Sequence, residues 1–465
     1  MSYETAVSRM FALGHELAST PSHKFDLAHM RVLLQALNHP ERAFPSVLIA
    51  GTNGKGSTAA TLASILRAAG LETGLYTSPH LVRINERIRV NGQEISDDLF
   101  AGLHGEVDSL AEELVEAGDL PWHPSFFEMM TAIAFLHFAR EGVEIAVLEV
   151  GMGGRLDATN VVDPALSVIT DIALDHQRFL GNTVAEIAHE KAGIIRRNGV
   201  VITLPQLPAA NDVIGNAILD LDARAVSAVP YVPPVSPASS QYLVSGPWQK
   251  PLVAERTEHA AIDDAYFYRY PLQLMGRQIL VESPLVGRHQ LRNVALAIAA
   301  ADELSKQGFN RITAKAIERG IRETRWPGRF QVVHLPQGWP EIVFDVAHNP
   351  AGAWALRSAL SERYADRPLI FVFAAMRDKA IAEMAEILLP LAEHVIATRA
   401  DNPRSASPEE IRQAAIRTGA EIETAPDTST ALGRARAHAS AGSIIVVTGS
   451  IYLVGEAMRL LGVRV

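Results

Sequence analysis

Short apolar runs alternate with helical patterns along most of the chain. In the first half the apolar runs are SVLIA, GLYTS, IAVLEVG, LSVITDI and GVVITLP, all of which lie between residues 46 and 205. Longer stretches with helical character, such as FFEMMTAIAFLHFAR, stand between them. Strands that alternate with helices in this way build a mainly parallel sheet covered by helices on both faces. The pattern therefore predicts an α/β domain in this part of the chain.

The same alternation restarts in the last third of the chain. EIVFDVA, PLIFVFAA, HVIATRA and SIIVVTG are strand candidates, and SPEE at 407–410 is a helix start with a capping serine, an early proline and two acids. Proline and glycine in RWPGR predict a linker at 326–329. We thus expect an N-terminal domain of residues 1–325 and a smaller, Rossmann-like domain of residues 330–465. Residues 206–284 break the rhythm and predict a loop-rich, β-containing insertion.

Composition excludes several classes of protein and site. The 465 residues are enough for two or three domains, and 48% of them are hydrophobic. A formal net charge of −10 argues against a nucleic-acid binder that relies on a broad basic face. The chain has no cysteine, which excludes disulfides, thiol nucleophiles and cysteine-ligated metals. We see neither a secretory signal nor an apolar run of membrane-spanning length, and we expect a cytoplasmic protein.

The segment VLIAGTNGKGSTAATL places a glycine-rich turn between an apolar strand and a helix. Gly51, Gly54 and Gly56 would let backbone N–H groups face a phosphate, and a helix N-terminus adds partial positive charge. The segment departs from the usual phosphate-loop pattern because Gly56 separates Lys55 from Ser57. The context favours a phosphate loop, with Lys55 on the β- and γ-phosphates and the Ser57 hydroxyl near Mg²⁺. The alternative is a flexible turn with an exposed lysine.

Acidic residues and a histidine follow two consecutive strand candidates. Glu149 lies near the end of IAVLEVG, and Asp171, Asp175 and His176 follow LSVIT. Ligands of α/β sheets bind at the carboxyl ends of the strands, so these side chains are candidates for a metal site. Mg²⁺ prefers oxygen ligands, which suits Glu149 and a serine. His176 is equally well explained as a hydrogen-bonding histidine.

Other candidate residues also have ordinary structural explanations. Glu128 completes an S-x-x-E capping box at the start of an apolar helix. Lys191, in AHEKAGI, has the pattern of a solvated helix lysine. The segment FDVAHNPAG places Asp345 and His348 between a strand and a helix, which is another natural ligand edge. Asn349 in the same segment is equally well explained as a helix cap. The residues alone thus predict a two-domain enzyme that uses ATP and Mg²⁺, without its substrate.

Nine motifs in series resemble those of the folylpolyglutamate synthase/dihydrofolate synthase family, relatives of the muramyl peptide ligases. They are GTNGKGS, TSPHL, FFE, EVGMGGRLDATN, LDHQRFLGNT, EKAGI, GRHQLRNVALA, WPGRF and DVAHNP, in the order found in the family. The resemblance covers nearly the whole chain. It implies an N-terminal P-loop-type ATPase domain that binds ATP and folate, followed by a C-terminal glutamate ligase domain.

The resemblance also implies a role for each matching residue. The residues expected to bind ATP are Gly54, Lys55, Gly56, Ser57, Asn293, Arg329 and Asp345. The expected ligands of two Mg²⁺ ions are Ser57, Ser78, Glu149, His176 and Lys191, which is carbamylated in the family. The expected pterin-binding residues are Phe126, Phe127, Glu128, Leu156, Asp157 and Ala158. The expected catalytic residues are Lys55, Lys191 and His348, the last beside the ATP phosphates and the incoming glutamate.

The implied reaction is the ATP-dependent joining of L-glutamate to dihydropteroate, to folates or to both, through an acyl phosphate. Because the pterin-binding residues are all present, we favour a bifunctional enzyme. Two alternatives are a muramyl peptide ligase and a nucleotide-binding protein without ligase activity. Gly56 argues against the first, and the full set of candidate residues argues against the second. We further expect a monomer that binds neither nucleic acid nor membranes.

Overall fold

The computed structural model describes residues 1–14, 27–234, 267–336 and 338–465. They fall into two compact units. The first unit takes its residues from 1–232, 273–279 and 292–324, and the second from 233–272, 280–291 and 325–465. The last change of unit, between Thr324 and Arg325, comes directly before the segment that we expect to link two domains. The expected domain limits themselves stay a prediction.

An eight-stranded sheet forms the centre of the first unit. Its strands are β1 (Ser46–Ala50), β2 (Thr73–Tyr76), β3 (Ile88–Val90), β4 (Gln93–Glu94), β5 (Ile145–Glu149), β6 (Leu166–Ile169), β7 (Val200–Thr203) and β8 (Arg224–Ser227). The order is β4-β3-β2-β5-β1-β6-β7-β8, and all neighbours are parallel except the pairs that β3 makes with β2 and β4. The central strands β1 and β5 are buried along their whole length, as expected for a parallel sheet covered on both faces.

Helices cover this sheet and supply much of the core. They are α1 (Tyr3–Ala12), α2 (Leu27–Ala36), α3 (Lys55–Ala68), α4 (Asp97–Ala117), α5 (Phe126–Arg140), α6 (Gln177–Leu180), α7 (Val184–Ala192), α8 (Pro208–Asp220), α9 (Arg288–Lys306) and α10 (Ala314–Arg322). The helix α5 is buried on almost every side, which explains why its sequence is apolar without a polar face. No helix in the described ranges is both long and apolar enough to cross a membrane.

The second unit is built on a six-stranded sheet of order β11-β12-β16-β13-β14-β15. Two further strands, β9 (Tyr268–Leu274) and β10 (Arg277–Ser283), pair with each other as a separate sheet. The strands of the larger sheet are β11 (Gln331–Val333), β12 (Glu341–Phe344), β13 (Leu369–Phe373), β14 (His394–Ala397), β15 (Ile422–Thr424) and β16 (Ile444–Thr448). Its helices are α11 (Pro350–Arg363), α12 (Ile381–Leu388), α13 (Pro408–Ala414), α14 (Thr428–His438) and α15 (Ile451–Leu460). Only β11 runs antiparallel to its neighbour, so the predicted α/β class is confirmed.

The start of the expected insertion differs from the loop-rich structure that we predicted. The helix α8 begins at Pro208, and β8 then joins the edge of the main sheet beside β7. Proline is tolerated at the first position of a helix, so Pro208 initiates α8 instead of breaking the chain. The hairpin of β9 and β10 agrees with the alternating segments of the sequence. Residues 235–266 of the expected insertion lie outside the described part of the chain.

Candidate active site

The turn between β1 and α3, which spans residues 51–54, is the predicted phosphate loop. Gly54 lies in the left-handed region with a φ of +88° and immediately precedes the first residue of α3, Lys55. A Cβ atom at Gly54 would overlap the carboxamide of Asn293, which is buried on α9. The first N–H groups of a helix have no acceptor within it, so the N–H groups from Lys55 to Ser57 are available to an anion. The geometry therefore suits a phosphate at this helix N-terminus.

Asp171 holds the first part of this loop through its backbone and its side chain. Its carbonyl oxygen accepts hydrogen bonds from the N–H groups of Thr52 at 2.9 Å and Asn53 at 3.2 Å. Its carboxylate accepts bonds from Nε and Nη2 of Arg292, the shortest at 2.6 Å. Arg292 lies one residue before Asn293 on α9. Arg292 lies in the GRHQLRNVALA motif but was not among the predicted site residues, because an arginine on a helix gives no signal of a distant carboxylate partner.

Two lysines donate hydrogen bonds to the same carbonyl oxygen of this loop. Nζ of Lys55 lies 3.1 Å from the oxygen of Gly51, and Nζ of Lys191 lies 2.7 Å from it. Lys191 is 4% exposed, so the alternative of a solvated helix lysine is wrong. Burial, followed by repulsion from Lys55, lowers the pKa of Lys191 to about 7. Burial therefore favours the uncharged amine of Lys191 far more than water does for an exposed lysine.

Glu149 and Ser78 lie next to each other at the ends of β5 and β2. The carboxylate of Glu149 accepts a hydrogen bond from the backbone N–H of Ser78 at 3.1 Å. Glu149 is almost completely buried and pairs in register with Ile49 of β1, just before the phosphate loop. Its position beside the loop is that expected of a metal ligand.

His176 occupies a left-handed backbone conformation, with a φ of +49°, directly before α6. Its backbone N–H bonds the carboxylate of Asp175 at 2.8 Å, and its Nε2 lies 3.9 Å from the same carboxylate. Positive φ is uncommon outside glycine and marks a constrained position. In the predicted magnesium set, Ser57, Ser78 and Glu149 offer oxygen donors and His176 offers an imidazole nitrogen. That composition fits Mg²⁺.

The FFE motif starts α5, and its three residues have different environments. Phe126 is 3% exposed and lies between Phe11, with ring centroids 5.9 Å apart, and the guanidinium of Arg87 at 5.1 Å. Phe127 closely approaches Gly151, where a Cβ atom would lie 2.5 Å from the ring. Glu128 forms the predicted capping box, because its carboxylate accepts the N–H of residue 125 at 2.8 Å. Its expected role in substrate binding stays a prediction.

The turn after β5 carries the other predicted pterin-binding residues. Leu156 is partly exposed, whereas Asp157 and Ala158 are buried. The carboxylate of Asp157 accepts bonds from the N–H of Met152 at 3.0 Å and from the N–H and hydroxyl of Thr159. Burial raises the pKa of Asp157 to about 6, against the opposing effect of these hydrogen bonds.

The second unit contains the predicted residues Arg329, Asp345 and His348. Asp345 follows β12, and its carboxylate accepts the N–H groups of residues 330 and 347, each at 2.9 Å. Burial raises the pKa of Asp345, while the positive charge of Arg329 opposes the shift. Nδ1 of His348 lies 2.9 Å from the carbonyl oxygen of residue 346. Asn349 caps α11 by accepting the N–H of Gly352, so its structural explanation is confirmed.

Comparisons with known proteins show the family to which this chain belongs. The model of the Mur ligase middle domain matches residues 49–217, and that of the Mur ligase, glutamate ligase domain, matches residues 328–451. The chain is 33% identical over 442 residues to a dihydrofolate synthase/folylpolyglutamate synthase of Bacillus subtilis, with 94% of each chain covered. The chain belongs to the dihydrofolate synthase/folylpolyglutamate synthase family.

Solved structures of this family have the same fold. A folylpolyglutamate synthase of Mycobacterium tuberculosis complexed with ADP is 30% identical, with a TM-score of 0.81 over 99% of this chain and 98% of that one. FolC of Escherichia coli, in complex with DHPP and ADP, is 29% identical, with a TM-score of 0.77 over 99% of this chain and 98% of that one. The resemblance found in the sequence is thus confirmed, and the protein is an ATP-dependent ligase of the Mur ligase type.

Proposed function

We propose that this ligase adds L-glutamate to both 7,8-dihydropteroate and reduced folates, as a bifunctional dihydrofolate synthase and folylpolyglutamate synthase. The observation that carries the proposal is the pair of hydrogen bonds from Lys55 and Lys191 to one carbonyl oxygen of the predicted phosphate loop. The turn of residues 151–162, which follows along the chain, contains predicted acceptor-binding residues. The proposal is supported by the name of the Bacillus subtilis relative, which is a dihydrofolate synthase/folylpolyglutamate synthase, and by the DHPP and ADP in the Escherichia coli structure. The proposal extends that chemistry to the residues of this chain.

The reaction has to activate a carboxylate, because carboxylate oxygen is a poor leaving group. A carboxylate oxygen of the acceptor attacks the γ-phosphorus of ATP, and the bond between that phosphorus and the bridging oxygen breaks to release ADP. The amine of glutamate then attacks the acyl carbon, loses a proton, and expels phosphate as the amide forms. Lys55 and the N–H groups at the start of α3 stabilise charge on the transferred phosphoryl group.

Lys191 changes role when it is carbamylated. Its pKa of about 7 leaves an uncharged amine that can add to carbon dioxide, with loss of one proton, to give a carbamate. The carbamate replaces a repelling ammonium by a carboxylate-like anion beside the phosphate loop. With Glu149, Ser57, Ser78 and His176 it would hold Mg²⁺, which neutralises phosphate charge when bound. We infer that carbamylation completes the metal site.

The residues of the second unit act on the nucleotide and on glutamate in this proposal. Arg329 and Asp345 bind the nucleotide. His348, whose Nδ1 lies 2.9 Å from a backbone carbonyl oxygen, would act on the ATP phosphates and the incoming glutamate. Exclusion of water protects the acyl phosphate from hydrolysis. The family model of a glutamate ligase domain, which covers these three residues, supports this division of labour.

Glutamate-dependent ADP release tests the proposal, with 7,8-dihydropteroate and tetrahydrofolate compared as acceptors. Release with both acceptors, dependent on Mg²⁺ and glutamate, is the expected result. Release with one acceptor alone would assign the enzyme to a single step. Release with neither acceptor, in protein that still binds ATP, would refute the proposed substrates. UDP-linked muramyl substrates would then be assayed next.

A further inference from the structure

The acceptor-binding turn and the end of α7 are joined by a set of hydrogen bonds centred on two residues outside the predicted site. We propose that Asn160 and Arg196 are positioning residues that hold the acceptor at a fixed distance from Lys191. We call these two side chains the clamp. The inference rests on the proposed function, since it requires that the turn of residues 151–162 binds the acceptor. It gives a role to two residues that were not among the predicted site residues.

The guanidinium of Arg196 donates hydrogen bonds to backbone and side-chain amide oxygens, and not to a carboxylate. Its Nη2 lies 2.9 Å from the carbonyl oxygen of Asn160, 2.7 Å from Oδ1 of Asn160 and 2.8 Å from the carbonyl oxygen of Val162. Its Nη1 lies 3.2 Å from the carbonyl oxygen of Ile194. The nearest carboxylate, that of Asp163, is 4.0 Å away and 94% exposed. Arg196 therefore ties the end of the turn to the segment that follows α7.

Asn160 joins the same two segments from the other side. It is 5% exposed, and its Nδ2 donates to the carbonyl oxygen of Arg155 at 3.0 Å and to that of Gly193 at 3.1 Å. Arg155 belongs to the turn, whereas Gly193 lies two residues after Lys191. The side-chain amide of Asn160 thus bridges the turn of residues 151–162 and Gly193. A buried amide whose donors and acceptor are all used fixes the geometry around it.

The two backbones approach each other too closely for side chains. A Cβ atom at Gly154 would lie 2.8 Å from the carbonyl oxygen of Glu190 and 3.1 Å from that of Lys191. A Cβ atom at Gly193 would overlap the side chain of Arg155. The N–H of Arg155 also donates to the carbonyl oxygen of Glu190 at 2.8 Å. These contacts couple the position of the turn to that of the end of α7.

The contact between the turn and α7 bears directly on catalysis. The turn carries Asp157 and its neighbours, and α7 carries Lys191, which contacts the phosphate loop at Gly51. A shift of the turn by about 1 Å is enough to cost a large factor in rate when a reacting group has to meet a phosphoryl group in line. Loss of the clamp should therefore impair acceptor use and turnover, while the phosphate loop keeps its affinity for ATP.

Two conservative variants test the clamp, with a neighbouring residue as the control. Arg196→Lys keeps the positive charge but replaces a planar fork of donors by one ammonium group. Asn160→Asp keeps the oxygen that faces Arg196 and removes both donors to the turn and to Gly193. Arg197→Ala is the matched control, since Arg197 is adjacent, 63% exposed and only loosely paired with Asp222 at 3.6 Å.

The measurements are the KM for dihydropteroate, the KM for ATP, kcat, and hydrogen–deuterium exchange of the peptide that covers residues 151–162. We expect both clamp variants to raise the KM for dihydropteroate about tenfold and to lower kcat. The KM for ATP should stay unchanged, and exchange in the peptide should become faster. The Arg197→Ala protein should match the unchanged protein in all four measurements.

Two results would overturn the inference while the proposed function stands. One is an equal rise in both KM values, which indicates general loss of structure. The other is faster exchange with unchanged kinetics, which indicates a stabilising role alone. If the unchanged protein releases no ADP with either acceptor, the proposed function fails and the inference fails with it.

Discussion

Gly54→Ala is the substitution that best separates an effect of loop geometry on ATP binding from an effect on the stability of the fold. Gly54 has a φ of +88°, and its missing Cβ leaves the space that the carboxamide of Asn293 occupies. Gly70, just past the other end of the same helix α3, has a similar φ of +77°, and a Cβ atom added there would meet nothing within 4 Å. Gly70→Ala therefore imposes the same backbone strain without an overlap, and it is the matched control.

The expected magnitudes follow from these two environments. An alanine in the left-handed region costs about 1–2 kcal/mol of stability, and this cost applies to both variants. Only Gly54→Ala also displaces the Asn293 carboxamide from its place beside the loop. If the carboxamide makes the contact with ATP that is expected of Asn293, its loss costs about 1–3 kcal/mol, which corresponds to binding that is about fivefold to 150-fold weaker.

Isothermal titration calorimetry with a nonhydrolysable ATP analogue and Mg²⁺ measures this effect directly. We expect Gly54→Ala to weaken binding within that range and Gly70→Ala to bind like the unchanged protein. Thermal unfolding of both variants reports the shared cost of strain. The reasoning is refuted if Gly54→Ala binds the analogue within twofold of the unchanged protein. It is also refuted if Gly70→Ala weakens binding to the same extent.

Three other substitutions give further predictions. Lys191→Arg keeps the charge and prevents carbamylation, so the turnover measured by ADP release should fall by about a hundredfold or more; an active variant would remove Lys191 from the catalytic residues. Glu128→Ala should impair dihydropteroate use more than Ser125→Ala, which breaks the same capping box from its other side; equal losses in the two kinetic assays would leave capping as the only role. Burial lowers the pKa of His104 in the folded protein. As the pH falls below about 6.5, the unfolded chain therefore binds a proton at His104 before the folded protein does, and the free energy of unfolding decreases. Denaturant unfolding of His104→Leu at several pH values should show a smaller decrease in the free energy of unfolding at acid pH than the unchanged protein shows. The same pH dependence in both proteins would contradict this role of His104.

Much of the fold could be predicted because its strands are short apolar runs between clear helix signals. The strands β1, β5 and β16 are buried along their whole length, and the capping box that starts α13 was visible as SPEE. The helix α8 was missed because residues 206–284 were interpreted as one loop-rich insertion, although Pro208 occupies the first helical position. Local pattern does not distinguish a proline that starts a helix from one in a loop.

The chemistry of the site was predictable only where a motif carried it. The glycine-rich loop could be interpreted from its own residues, because strand, glycines and helix are adjacent in sequence. The burial of Lys191 could not be predicted, because its helix has the sequence of a solvent-exposed helix and its partner Gly51 is 140 residues away along the chain. Arg196 and Arg197 are likewise indistinguishable in the sequence. Only the fold shows that the first is held by several oxygens and the second is exposed.

Transfer of an isotope from the acceptor to phosphate tests the central claim most directly. Dihydropteroate labelled with ¹⁸O in its carboxylate is incubated with ATP, glutamate and Mg²⁺, and the released phosphate and the product are analysed by mass spectrometry. An acyl phosphate intermediate predicts one ¹⁸O atom in each phosphate released and a product that contains one added glutamate. Unlabelled phosphate, or ADP release without a glutamate adduct, would contradict the assignment of this protein as a ligase that activates its acceptor by phosphorylation.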